Sequence, residues 1–380
     1  MKSDKINLIS KSKTAVYTIF FLDGVIYASW LTLLPIIQSI FRMNNSTLGM
    51  MLFIMSLGSL FSIPFTGYLI GKFGTQKVLF SSFLLLSICY VTFSQISSIS
   101  IFFVAVFVMG CSVGAVDVSM NVQAFKIEQC NRKSMMSGFH GAFSFGMIIG
   151  AFVLGFVFEK IPINFSFWLI PVVTFLLLPL IFRSLRNDNL SRSNIRIWVK
   201  PRKKVLLLGL MALGVIIIES SLTDWNTTYM SQVFNKTKSS NTNGLVLYTI
   251  SVLIGRMFGD RLRTKIKDRL FLWISLGLST IGIICLITAF NKEFALLGFI
   301  ISGLGVSVLM PTIFSIAGNH WSTKPAVGIS MVASISYFGY LLAPILMGLI
   351  SDWISIQYAY GVSITILVIM ASILYIGKKN

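Results

Sequence analysis

Charge is scarce in this 380-residue chain: 11% of its residues are Asp, Glu, Lys or Arg, and only 12 are acidic. Soluble domains carry about 25% charged residues, so a water-facing surface cannot be assembled from this sequence. Histidine is scarcer still, with His140 and His320 far apart. The four cysteines, Cys89, Cys111, Cys130 and Cys285, are scattered and form no Cys-x-x-Cys spacing. Neither a disulfide nor a metal site is expected from such a set. A phosphate loop is missing too. In "GYLIGK" at Gly67 the glycines are too close together, and Phe73 follows the Lys where Ser or Thr is needed. No nucleophile–base pair stands out, so neither an enzyme nor a cofactor is expected. The N-terminal "MKSDKINLISKSK" lacks a small-residue cleavage pattern and leads into a full-length apolar run, which is expected to act as its own insertion signal.

Apolar residues are abundant instead. They make up 55% of the chain, and the mean hydropathy is +0.84. A helix crossing a bilayer needs about 20 apolar residues, and such windows recur along the sequence between short polar or Gly/Pro breaks. They fall at 14–41, 47–70, 78–96, 100–124, 135–158, 165–183, 204–230, 244–262, 269–290, 294–318, 326–351 and 357–377, which predicts an all-α integral membrane protein with twelve transmembrane helices.

The net charge of +19 does not point to nucleic acid, because Lys and Arg alternate from loop to loop. With the N-terminus in the cytoplasm, all but five of the 31 basic residues lie on the inner side; Arg42, Lys160, Lys236, Lys238 and Lys292 are the exceptions. This asymmetry is the positive-inside rule, and it predicts that both termini are cytoplasmic. Anionic lipid head groups are the partners it implies.

The loop "RSLRNDNLSRSNIRIWVKPRKK" divides six spans from six, giving an expected N-terminal bundle (1–183), a basic linker (184–203) and a C-terminal bundle (204–380). The halves repeat. "GYLIGKFGTQK" after the second span matches "GRMFGDRLRTK" after the eighth at an offset of 188, and "FGMIIGAFVLG" in the fifth matches "FGYLLAPILMG" in the eleventh at 193. Gly146, Gly150 and Gly155 thereby face Gly339, Ala343 and Gly348, small residues that allow close helix approach.

Twelve spans in two sets of six, a basic central loop and a glycine–charge loop after spans two and eight resemble the major facilitator superfamily of secondary transporters. "DVSMNVQAFKIE" followed by "MSGFHGAFSFGMIIGA" resembles a bacterial inner-membrane branch related to the fucose–proton symporters. The resemblance implies two six-helix bundles, a location in the bacterial cytoplasmic membrane, and a gate loop. In that loop the chain matches Gly67, Lys72, Gly74 and Lys77, but it places Gly71 where the family has an acid. The second copy holds Arg256, Asp260 and Arg261. A monomer is expected.

A charged residue at the centre of a spanning helix costs about 2.5–3.5 kcal/mol on insertion scales, so it faces a cavity or a partner. Here the acids concentrate in spans one, four and seven, as Asp23, Asp117, Glu219 and Asp224. At 1.5 Å per residue, Asp23 lies about 12 Å, Asp117 about 10 Å and His140 about 8 Å from the cytoplasmic side. These three are the proton-coupling candidates, with His140 open to either a relay or a packing role. Asn121 sits one turn from Asp117. Glu128, near the loop, is expected to partner Arg132 or Lys133. Tyr27 and Trp30 follow Asp23 on its face and either stack on a ligand ring or pack.

Ser144 lies one turn beyond His140. In the second half Glu219 shares a face with Thr223 and Asn226, while Ser307, Ser334 and Tyr337 add polar contacts, and Pro311 and Pro344 are expected bend points. At the 193-residue offset Asp117, His140 and Asn121 become Met310, Ala333 and Phe314, so proton handling is expected mainly in the N-terminal half.

These features predict secondary transport of a small, sugar-like polar solute by alternating access, as a proton symporter. A proton-driven exporter of a drug, metabolite or natural product would use the same carboxylates in antiport. A non-transporting receptor or scaffold is the alternative of another class.

Overall fold

The structure is a computed structural model that describes residues 2–131, 135–182, 185, 203–234, 241–263, 265–320 and 325–376. The described residues form helices and no strand. In chain order these are α1 (Lys2–Ile40), α2 (Asn45–Phe73), α3 (Thr75–Phe93), α4 (Ile99–Asn131), α5 (Met136–Lys160), α6 (Ile163–Phe182), α7 (Lys203–Asp224) and α8 (Asn226–Phe234). They continue with α9 (Asn243–Arg263), α10 (Asp268–Ile287), α11 (Lys292–Val306), α12 (Leu309–His320), α13 (Pro325–Ser336), α14 (Phe338–Trp353), α15 (Ile356–Ala359) and α16 (Gly361–Ile376). Helix is what a bilayer demands, because lipid cannot hydrogen-bond an open backbone.

Ten segments are long and apolar enough to cross a membrane, and two shorter apolar helices, Phe165–Pro179 and Asn243–Gly259, complete the twelve expected crossings. Several crossings are broken. The tenth, Lys292–Ala317, is interrupted at Ser307–Val308. Pro311 supplies the reason: it has no N–H to return to the Ser307 carbonyl one turn earlier. Pro344, the other expected bend point, lies inside α14, and that crossing breaks seven residues earlier at Tyr337. Between α2 and α3, Gly74 turns the chain at φ 84°, a left-handed conformation that glycine adopts without a side-chain clash.

By its internal contacts the chain divides into two compact units. The first is Met1–Trp30 with Ile54–Asn194; the second is Leu31–Phe53 with Ile195–Asn380. The later boundary falls within the expected linker. The segment Leu31–Phe53, expected in the N-terminal bundle, instead makes its contacts with the C-terminal helices. Length permits this: α1 has 39 residues and α2 has 29, so each is long enough to contribute to both units.

Each unit is held by close backbone approaches at small residues, which in lipid take the part that apolar burial plays in water. In the first, a Cβ added to Gly146 of α5 would collide with the Phe21 carbonyl oxygen of α1, and one on Gly110 of α4 would collide with the Met55 carbonyl oxygen of α2. The second unit repeats both contacts. Gly339 of α14 packs on Leu213 and Ile216 of α7, and Gly303 of α11 packs on the Tyr248 carbonyl of α9. Gly303 and Tyr248 each lie 193 residues beyond Gly110 and Met55, so the duplication read from the chain is also a duplication of contacts.

Burial separates the roles of the crossings. The windows in Ser12–Ile40 and Val205–Asp224 are each 67% buried, against 28% in Ile356–Ile376. The first and seventh crossings are therefore the enclosed ones, while large apolar side chains such as Phe175, Leu176 and Val368 remain exposed for lipid.

Candidate functional site

In the first unit, α1 and α5 pack backbone to backbone: Gly24 meets the Phe143 carbonyl and Gly150 meets Val25 and Ala28. That contact holds Asp23, next to Gly24, and the segment His140–Ser144 against one another in depth. The His140 ring stands edge-on to Phe20, 5.3 Å between centroids, and Tyr27 lies 6.2 Å from Phe143. His140 is exposed; Asp23 and Tyr27 are half-buried. Ser144 is buried and donates to the His140 carbonyl at 3.2 Å.

Helix α4 is set against α2 by Gly58, Gly110 and Gly114. One turn beyond Gly114, Asp117 is exposed and accepts from Asn121 Nδ2 at 2.9 Å; the same Nδ2 also reaches the Asp117 carbonyl oxygen at 2.9 Å. Asp23 and Asp117 are close enough for their charges to repel. The structure therefore brings Asp23 towards Asp117, which is bonded to Asn121, while His140 lies on α5 one turn before Phe143, the residue whose carbonyl meets Gly24.

Trp30 takes the packing role of the two expected for it. It is 2% exposed and packs on Phe93 at 6.1 Å, in the interior among other side chains.

In the second unit Arg256 Nη2 of α9 donates to Glu219 Oε1 of α7 at 2.9 Å. This bond links Arg256, an expected gate residue, to a membrane-depth acid. The Asp260 and Arg261 side chains lie outside the described residues. Thr223 Oγ1 donates to the Glu219 carbonyl at 2.7 Å, and Ser220 Oγ donates to Asp224. Asn226 is fully buried and donates to the Leu222 carbonyl at 3.2 Å. Ser307 is also buried, its hydroxyl pressed on Gly255, whereas Ser334 and Tyr337 are exposed.

Of the gate loop, Gly67, Tyr68, Gly71 and Lys72 line a cleft of about 490 Å³, and an added Cβ at Gly67 or Gly71 would meet nothing within 4 Å. Glu128, expected beside Arg132 or Lys133, which lie outside the described residues, accepts from the backbone amides of Met135 and Met136 at 2.7 and 2.9 Å. It thus satisfies two of the orphan donors that open α5.

Three polar contacts are not legible in the sequence. Buried Lys126 donates to Thr75 Oγ1 at 2.8 Å; Arg263 holds Asp268 at 2.7 and 3.1 Å and Ser315 at 2.7 Å; and Asp352 receives the first amides of α2. Only the charge of these residues at span ends signals them.

Among the described residues no cluster of three or more His, Cys, Asp or Glu is placed to hold a metal ion.

A twelve-crossing helical protein with duplicated contacts and acids at membrane depth in the first, fourth and seventh crossings has the features of a secondary transporter. The Major Facilitator Superfamily model matches residues 16–320 and 208–380, and the chain belongs to that family, which is one of transporters and not of enzymes. It is 29% identical over 360 residues to an uncharacterised MFS-type transporter of Yersinia pestis, covering 93% of this chain and 92% of that one. It is 24% identical over 360 residues to the proton-coupled antiporter flippase LtaA of Staphylococcus epidermidis, covering 88% and 85%. Among solved structures, the nucleoside transporter NupG superposes with a TM-score of 0.79 at 12% identity, covering 95% of this chain and 98% of that one; at that identity the likeness shows the fold alone.

Proposed function

We propose that the chain moves a small polar, sugar-like solute across the bacterial cytoplasmic membrane by proton-coupled symport, with both termini in the cytoplasm. One observation carries this reading: Asp117, braced by Asn121, stands within electrostatic reach of Asp23 on the neighbouring helix, and at the duplicated position the chain has Met310. A carboxyl that alternates between a dry and a wet surrounding takes up a proton in one and gives it up in the other. For coupling, proton and solute together must favour the occluded state more than either alone. Tyr27, Asn121, Ser144 and exposed His140 offer the polar and aromatic contacts a sugar-like ring requires. In the second unit, Glu219 and Arg256 offer a charged pair.

The test uses proteoliposomes loaded with a pH-sensitive dye and given sugars, nucleosides, organic acids and antibiotics in turn. Asp117→Asn and Asp23→Asn are expected to abolish gradient-driven accumulation while leaving solute exchange intact. If both variants accumulate solute as the parent does, the assignment of the proton carriers is wrong.

Antiport is a second reading, supported by the name of the staphylococcal relative, a proton-coupled antiporter. The same vesicles separate the two, since symport moves protons with the solute and antiport moves them against it.

A further inference from the structure

The segment Leu31–Phe53 joins the second unit through an unusual helix start. Helix α2 already has its own cap: Asn44 Oδ1 accepts from the Thr47 amide at 2.9 Å, and the Leu48 amide returns to the Asn44 carbonyl at 3.1 Å. The two amides left over, on Asn45 and Ser46, each donate at 2.8 Å to a different oxygen of Asp352 at the end of α14. A carboxylate across a helix N-terminus satisfies orphan donors and meets the positive end of the helix dipole.

Beside it, three side-chain amides close a ring. Gln38 Nε2 of α1 and Gln232 Nε2 of α8 both donate to Asn45 Oδ1 at 2.8 Å; Gln232 Nε2 also reaches Gln38 Oε1 at 3.1 Å, and Asn45 Nδ2 donates to Gln232 Oε1 at 3.2 Å. One turn into α2 the backbones touch: a Cβ on Gly49 would collide with the Pro344 carbonyl oxygen and sit 3.1 Å from the Gly348 Cα. The opposite end of α2 presents a similar pair of glycines, Gly67 and Gly71, to open space. One helix thus has one small-residue face engaged and another unengaged.

We propose that Asp352, together with the Gln38–Asn45–Gln232 amide ring, is a latch that fastens the outer ends of α1 and α2 to the C-terminal helices, and that it must open once in every transport cycle. This rests on the alternating-access reading above. The bonds suit that role, because several geometrically demanding hydrogen bonds break together when α2 moves a few ångströms, and the glycine contact closes only in register. The carboxylate supplies the charge-assisted part of the hold, and each amide can return to water when the latch is open.

Two experiments test it in a background without cysteine. Spin labels at Met50 and Ile354, both exposed, report the separation across the latch in lipid nanodiscs. The parent and Asp352→Glu are expected to show a dominant short distance. Asp352→Ala is expected to raise the separated population about tenfold, the shift that about 1.4 kcal/mol produces. An unchanged distance distribution in Asp352→Ala overturns the latch. In the second experiment an Asn45→Cys/Gln232→Cys pair is oxidised and dye-loaded vesicles are assayed with the same solute panel. Oxidation is expected to stop proton flux and reduction to restore it; equal flux in both states also overturns the proposal. If the distances shift as expected but no variant, the parent included, moves any solute, the latch stands and the transport reading fails.

Discussion

Removing Glu219 isolates the contribution of the Glu219–Arg256 pair. The two groups meet at 2.9 Å with side-chain exposures of 26% and 41%, so the pair is neither a surface contact nor a sealed one. Exposed pairs contribute about 0.2–1 kcal/mol, whereas breaking a fully buried pair costs about 3–5 kcal/mol because a charge is stranded. Partial water access at this depth places the coupling between these limits, at about 1.5 kcal/mol. Glu219→Gln leaves Arg256 without its carboxylate and is expected to destabilise the protein by roughly that amount plus the lost hydrogen bond. Arg256→Gln, which strands the Glu219 carboxylate, is expected to cost a similar amount. The double variant, with no stranded charge, is expected to recover most of the loss. The assay is a double-mutant cycle on reversible unfolding in bicelles with graded denaturing detergent. A coupling energy below about 0.3 kcal/mol, the size of ordinary non-additivity, would refute the argument that these charges sustain one another.

Two further outcomes follow from the packing. Gly146→Leu places side-chain carbon where the Phe21 carbonyl stands and is expected to abolish monodisperse protein, whereas Gly67→Ala and Gly71→Ala, which meet open space, are expected to purify and melt like the parent; size-exclusion chromatography and thermal unfolding check both. Glu128→Ala removes the acceptor for the Met135 and Met136 amides and is expected to cost about 1 kcal/mol, with Glu128→Gln recovering part of it, read as hydrogen-exchange protection at the start of α5.

Some features of the site can be read in advance because they depend on local cost. An acid in an apolar run is conspicuous at Asp23, Asp117 and Glu219 whatever it touches. Periodicity places Asn121 one turn from Asp117, and the structure joins them by a hydrogen bond. Features that depend on a distant partner are not readable in this way. Sequence groups Arg256 with its neighbours Asp260 and Arg261, yet its bond is to a residue 37 positions earlier on another helix. The basic residues that sequence matches to Glu128 lie outside the described residues, and the two amide donors it accepts from at the start of α5 are marked by no sequence symbol. Trp30 shares a helical face with Asp23 and Tyr27 by angle, but packing on Phe93 takes it out of that set.

The amino-acid sequence by itself determined that the chain is a helical membrane protein with twelve crossings, duplicated halves and a transporter's distribution of acids. Each of these follows from the cost of placing polar groups in lipid, and that cost is paid residue by residue along the chain. Only the tertiary structure decided which polar groups meet. It joined Asp352 to the start of α2 across 307 residues, paired Glu219 with Arg256, and carried Leu31–Phe53 into the second unit. Such pairings are set by where glycines let backbones approach and by which helix ends come to lie side by side, and neither quantity is local.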